Sequence, residues 1–192
     1  MGARAAEAYA YFDSSDGSLN FCYDNSKSNR SKSGYTVYSL NTGSNLPGWT
    51  DINSKVKELY FYSEFANYYP TSCYGWGYYM ENLTKVTNIN RLNTSKVTNM
   101  ALMFCHCKSL TSLDVSGFNT ANVTSMKSMF ESCSKLTSLS VGAGPHPRSL
   151  TSAEYSTDAP DLPALMSAIG THRVRQLSAI CLPTVRLSPA ST

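Results

Sequence analysis

The segments Asn93–Val115 and Asn119–Val141 are identical at 13 of 23 positions when offset by 26 residues. An internal repeat of this period constrains the fold more tightly than composition does. One such unit cannot bury its own apolar face, so it must lay that face on the next unit and make the core continuous along the stack. A looser copy precedes the pair: "ENLTKVTNINRLNT" parallels "KSLTSLDVSGFNT" with one extra residue. Within a unit, Leu110, Leu113, Val115 and Phe118 have the spacing of a short strand and its exit turn. Val123, Met126, Met129, Phe130 and Cys133 recur at helical spacing. Each unit therefore predicts strand, loop and short helix, with Met129 and Phe130 inside the continuous core.

The chain divides into three zones. Residues 8–70 read as a β-rich N-terminal capping region. "AYAYF" and "SLNFCY" flank "DSSDG", whose Asp16-Gly17 pair favours a hairpin turn because Gly tolerates positive φ. In "KVKELYFYSEF", alternation points Val56, Leu59 and Phe61 inward and Tyr60 and Tyr62 outward. Residues 71–141 carry the repeats. Residues 142–192 form a divergent, irregular tail: all 14 Asn and all nine Lys precede it, whereas six of the eight Pro fall within it. A compositional break this sharp is what a displaced reading frame would produce, and translating the other two frames past codon 141 tests that. Val174, Leu177, Ile180 and Cys181 faintly copy the repeat's spacing. The predicted fold class is α+β: a short leucine-rich-repeat-like β/α solenoid preceded by a β-rich region.

The runs "FNTANVTSMKSMFESCSKLTSL" and "LNTSKVTNMALMFCHCKSLTSL" resemble the BspA-like leucine-rich repeat surface proteins of bacteria. The stretches "YDN", "LNTGSNLPGW" and "EFAN" before "PTSCYGW" are similar to the region that precedes such repeats. The likeness covers roughly residues 8–141. It implies an extracellular or surface-attached protein that adheres to host extracellular-matrix or neighbouring-cell proteins, without catalysis or cofactor.

Charge and motifs narrow the remaining classes. Sixteen basic and 13 acidic residues leave a net charge of +3, far from the clustered excess of a nucleic-acid binder. The start, "MGARAAEAYAYF", lacks the apolar core of a secretory signal, and no apolar run is long enough to span a membrane. No H-E-x-x-H, G-x-S-x-G or phosphate-binding loop is present, so an enzyme is not expected.

Cys105-His106-Cys107 is the one cluster that looks like chemistry. Structural zinc takes four ligands from spaced pairs, and the chain has no C-x-x-C. Cys107 and Cys133 occupy one repeat position, which favours small core fillers over a disulfide or a metal site. Asn29, Asn82, Asn93 and Asn122 match the glycosylation pattern, but packing already accounts for Asn in the repeats. Asn93 and Asn119 sit at an exit turn, where their amides can bond neighbouring backbone.

The leading functional expectation is a binding module. Residues between the inward apolar positions line one solvent-facing column: Lys85 and Thr87, Ser112 and Asp114, Ser138 and Ser140, extended by Tyr60 and Tyr62. The alternative is a structural spacer within a longer repeat array that carries no site of its own.

Overall fold

The computed structural model describes residues 5–142; the tail from residue 143 on, with its echo at Val174 to Cys181, lies outside them. Strands β1 (Glu7–Asp13) and β2 (Ser18–Asp24) pair antiparallel around the expected turn. Gly17 adopts φ 79° and its N–H bonds the Asp13 carbonyl at 2.9 Å. The carboxylates of Asp13 and Asp16 accept the N–H groups of Ser15 and Ser18. Helix α1 (Lys27–Lys32) leads to β3 (Thr36–Ser39), which pairs antiparallel with β1. On the other side, β4 (Glu58–Phe61) runs parallel to β2, and β5 (Lys85–Thr87) runs parallel to β4. The five-stranded sheet thus has the order β3-β1-β2-β4-β5, and a separate parallel pair joins β6 (Ser112–Val115) to β7 (Ser138–Val141). The described chain is mostly β with a few short helices.

Val56, Leu59 and Phe61 are buried as alternation predicts. They enter an aromatic core in which Phe21 stacks on Phe61 at 4.6 Å and on Trp76 at 5.0 Å, with Trp49 edge-on at 5.6 Å. This core continues without interruption into the repeats through Met100, Phe104, Leu110, Met126 and Leu136.

The short helix expected in each repeat is not formed. Residues 101–106 and 127–132 are runs of successive turns. The N–H groups of Met103, Cys105 and Cys107 bond carbonyls three residues back in their own unit. Those of Met100, Leu102, Phe104 and His106 instead cross to the carbonyls of Ser125, Lys127, Met129 and Glu131 in the next. An α-helix needs each N–H for the carbonyl four residues earlier. Here every second one serves the neighbouring unit, which makes each unit a rung. Turns of this kind also return a side chain inward at every third place, so the Val123, Met126, Met129 spacing suits them as well as a helix. The path requires left-handed residues at fixed places: Leu102 and His106 in one rung, Ser128 and Ser132 in the next, with φ between 54° and 62°.

The same alternation runs from the first rung into the second. Cys73, Gly75, Gly77 and Tyr79 donate to Asn99, Ala101, Met103 and Cys105 at 2.7–3.0 Å. The first rung's own carbonyls face the N-terminal region, where three side chains meet them. Asn41 Nδ2 donates to the carbonyl of Tyr74 at 2.9 Å, Trp49 Nε1 to that of Trp76 at 2.9 Å, and Asn53 Nδ2 to that of Tyr78. These side-chain donors stand where a preceding rung's backbone N–H groups would stand.

Candidate functional site

Strands β6 and β7 pair in register, Ser112 with Ser138 and Asp114 with Ser140. Leu113, Val115 and Leu139 point into the core, which turns the intervening residues outward. Ser112, Asp114 and Ser138 are exposed and Ser140 is half-buried. Asp114 also accepts the N–H of Ser116 at 2.9 Å, so its carboxylate is oriented by the strand's exit turn. The result is a shallow polar patch of three hydroxyls and one carboxylate.

Lys85 and Thr87 pair in a different sheet from the β6–β7 ladder. They belong to the five-stranded sheet, where Glu58 lies opposite Lys85 and Tyr60 opposite Thr87, and no ladder joins β5 to β6. The backbone ladder beneath the column read from the repeats is therefore interrupted between β5 and β6. The interruption coincides with the extra residue of the first repeat. After Thr87, Asn88 turns left-handed at φ 56° and leads into a 3-10 turn at Ile89–Arg91, where the later rungs simply exit the strand. Glu58, absent from the predicted column, organises the first half: its carboxylate pairs with Lys85 at 3.1 Å and accepts the Thr87 hydroxyl. Counting back two residues from Tyr60 on the same alternation would have found it.

Tyr60 and Tyr62 are half-buried and edge-on to each other at 5.0 Å. Tyr62 is not the open surface residue that alternation predicts. Its hydroxyl lies 3.0 Å from that of Tyr11, and it packs on a second apolar cluster of Tyr9, Tyr11 and Cys22 across the back of the sheet. Arg30 of α1 covers this cluster, with its guanidinium 4.4 Å from the Tyr11 ring centre and 5.7 Å from that of Tyr62. Burial raises the Tyr11 phenol above its ordinary range, and the Tyr62 hydroxyl bond adds to this.

The cysteines behave as packing residues. Cys107 and Cys133 are buried at equivalent places, and their thiols donate to the carbonyls of Gly77 (3.2 Å) and Phe104 (3.0 Å) in the preceding rung. Burial pushes the Cys105 thiol up to about 12, far from the range of a reactive thiolate. The His106 ring stacks on Tyr79 at 4.1 Å. Among the described residues no group of three or more His, Cys, Asp and Glu side chains could hold a metal ion, and no helix is long and apolar enough to cross a membrane.

Asn93 and Asn119 bond the N–H groups of Ser95 and Ala121, as expected of exit-turn amides. Asn82 and Asn122 use their side-chain nitrogens to reach the carbonyls of Ser54 and Ser95. Both amides are thus engaged in joining successive layers, the packing role read from the repeats.

No curated protein and no solved structure matches the chain. Over residues 78–141, the repeat-bearing third of the chain, the sequence matches the family described as "Mycoplasma protein of unknown function, DUF285", which fits a bacterial origin.

Proposed function

We propose that this chain is a non-catalytic, adhesin-type binding module: a short solenoid with a capped N-terminal end that presents a flat polar surface to proteins outside the cell. The observation that carries the reading is the register of β6 and β7, which gathers Ser112, Asp114, Ser138 and Ser140 on one side of a ladder whose other side is core. Small hydroxyl side chains with a single oriented carboxylate leave little to obstruct an approaching surface. Their hydrogen-bonding groups are available to a partner without the entropy cost of ordering long side chains. The side-chain donors of Asn41, Trp49 and Asn53 support the capping role of the N-terminal region. The resemblance to BspA-like surface proteins supports an extracellular or cell-surface location, with host-matrix or neighbouring-cell proteins as partners.

Titrating the purified chain over immobilised fibronectin and fibrinogen tests the proposal. Saturable binding that weakens in Asp114→Arg is expected. Flat traces on every matrix glycoprotein would instead favour the spacer, in which these rungs only extend a longer array.

A further inference from the structure

The side of the five-stranded sheet that faces away from the aromatic core carries a row of tyrosines. Tyr35 lies 4.9 Å from Tyr11 between ring centres, the Tyr11 and Tyr62 hydroxyls meet at 3.0 Å, and Tyr62 is edge-on to Tyr60 at 5.0 Å. Arg30 of α1 reaches over the middle of this row. Its guanidinium packs on the Tyr11 and Tyr62 rings, and Nη1 donates to the Tyr11 hydroxyl at 3.3 Å. Its Nε is buried with no acceptor, while the residue as a whole is half-buried. Ring faces and phenol oxygens orient a guanidinium but do not cancel its charge. Among the described residues no carboxylate forms an ion pair with Arg30. Glu7 and Asp24, paired across β1 and β2, are committed elsewhere. Asp24 accepts the Tyr9 hydroxyl at 2.8 Å and the Ser26 N–H at 2.7 Å, and Glu7 pairs with Lys27 at 3.2 Å. Helix α1 itself carries Lys27, Arg30 and Lys32 and no acidic residue. Arg30 is thus a held, partly desolvated cation with no counter-ion, an arrangement that an arriving anion stabilises.

We propose that Arg30 and the tyrosines around it form a binding site for an acidic saccharide, the guanidinium taking the sugar's oxyanion and the rings of Tyr35, Tyr60 and Tyr62 its apolar face. The site lies on a different sheet from the β6–β7 patch and does not depend on it. Charge selects an anion. A guanidinium presents its N–H groups as a planar fork that matches a carboxylate or a sulfate, and partial loss of water strengthens the attraction. The surroundings select a sugar over an acidic peptide. Tyr11 belongs to β1, whose two edges are already paired with β2 and β3, so an extended peptide finds no free strand to join there. The half-buried phenol rings instead offer flat apolar area with hydroxyls at the rim. A pyranose ring, with C–H groups on its face and hydroxyls at its edge, is the complement of that surface. Arg30 and the tyrosines already hold one another in place, so binding has little side-chain freedom left to remove.

Calorimetric titration of the full chain at about 0.15 M salt, where long-range attraction is screened, tests this. The probes are a hyaluronan hexasaccharide (carboxylate only), a heparin hexasaccharide (sulfate as well), a neutral chitin hexasaccharide and a poly-glutamate peptide. Saturable binding of at least one acidic oligosaccharide is expected. Arg30→Gln should weaken it at least about tenfold, the worth of one charged hydrogen bond. Lys127→Gln, which removes an equal charge from the repeats, should leave it unchanged. Binding of the hyaluronan probe would show that a carboxylate suffices, and binding of the heparin probe alone would assign the site to sulfate. Equal binding of the neutral sugar would reduce the site to its tyrosines and overturn the proposal. Equal binding of poly-glutamate would hand it to acidic peptides and overturn it too, as would no binding or binding indifferent to Arg30→Gln. Arg30→Lys guards against a variant that fails to fold, because it keeps the charge and loses only the planar fork. With a circular dichroism spectrum matching the wild type it should bind several-fold more weakly, and an unchanged affinity would overturn the proposal.

Discussion

The indole N–H of Trp49 reaches across 27 residues of sequence to the main-chain carbonyl of Trp76 at 2.9 Å, with both rings fully inside the core. Trp49→Phe keeps an aromatic ring there and removes the donor, leaving a buried carbonyl short of one partner. A loss of about 1–3 kcal/mol is expected, added to a smaller packing term. Urea unfolding followed by circular dichroism measures it, and an unchanged midpoint would show that the bond contributes nothing to the junction between the N-terminal region and the repeats.

Phe104 and Phe130 are repeat equivalents that stack at 5.7 Å with their rings parallel, yet Phe104 is fully buried and Phe130 only partly. Truncating a fully buried Phe costs about 3–5 kcal/mol. Phe104→Ala should therefore abolish or nearly abolish cooperative unfolding, because that loss approaches the whole margin of a small domain. Phe130→Ala should leave a weakened but visible transition. Equal melting curves for the two variants would contradict the difference in burial.

The φ of Gly77 lies outside the left-handed region, but a Cβ added there would lie 2.8 Å from the Met103 carbonyl oxygen, the acceptor of its own N–H. At Gly117 an added Cβ meets nothing within 4 Å. Gly77→Ala should push the first and second rungs apart and cost about 1–3 kcal/mol, the usual penalty of overpacking. Gly117→Ala should be neutral or mildly stabilising, through the unfolded chain's lost freedom. Thermal melts of the two variants side by side decide the matter.

The Asp13 carboxylate accepts the Ser15 hydroxyl at 2.6 Å and the Ser15 N–H at 2.9 Å, which holds its pKa below the ordinary value. A folded-state pKa lower than the unfolded one stabilises the fold only while the carboxylate is ionised. The contribution is complete above the unfolded-state pKa of about 4 and fades as pH falls through the folded value. Ser15→Ala removes the hydroxyl bond. The gap in urea midpoint between wild type and variant should therefore be present at neutral pH and close in strong acid. A gap that stays constant in acid would assign the effect to turn propensity rather than to the charge.

Several features were legible in the residues themselves. The period of 26, the inward set Leu110, Leu113, Val115, Met126 and Met129, the Asp16-Gly17 turn, and the burial of Val56, Leu59 and Phe61 all appear in the structure where the sequence places them. Side-chain periodicity records which way each residue faces, and burial enforces it locally. Periodicity does not record where a backbone N–H finds its acceptor. The tertiary structure alone decided that the expected repeat helices are turns, because half of their N–H groups cross to a neighbouring rung. It likewise decided that Lys85 and Thr87 pair in a different sheet from Ser112 and Asp114, and that Tyr62 is drawn against Tyr11 under Arg30. The side-chain donors of Asn41, Trp49 and Asn53 had no signature at all before folding. Each acts on a carbonyl 25 to 33 residues away, and only the close approach of the N-terminal region to the first rung selects those carbonyls from all the others.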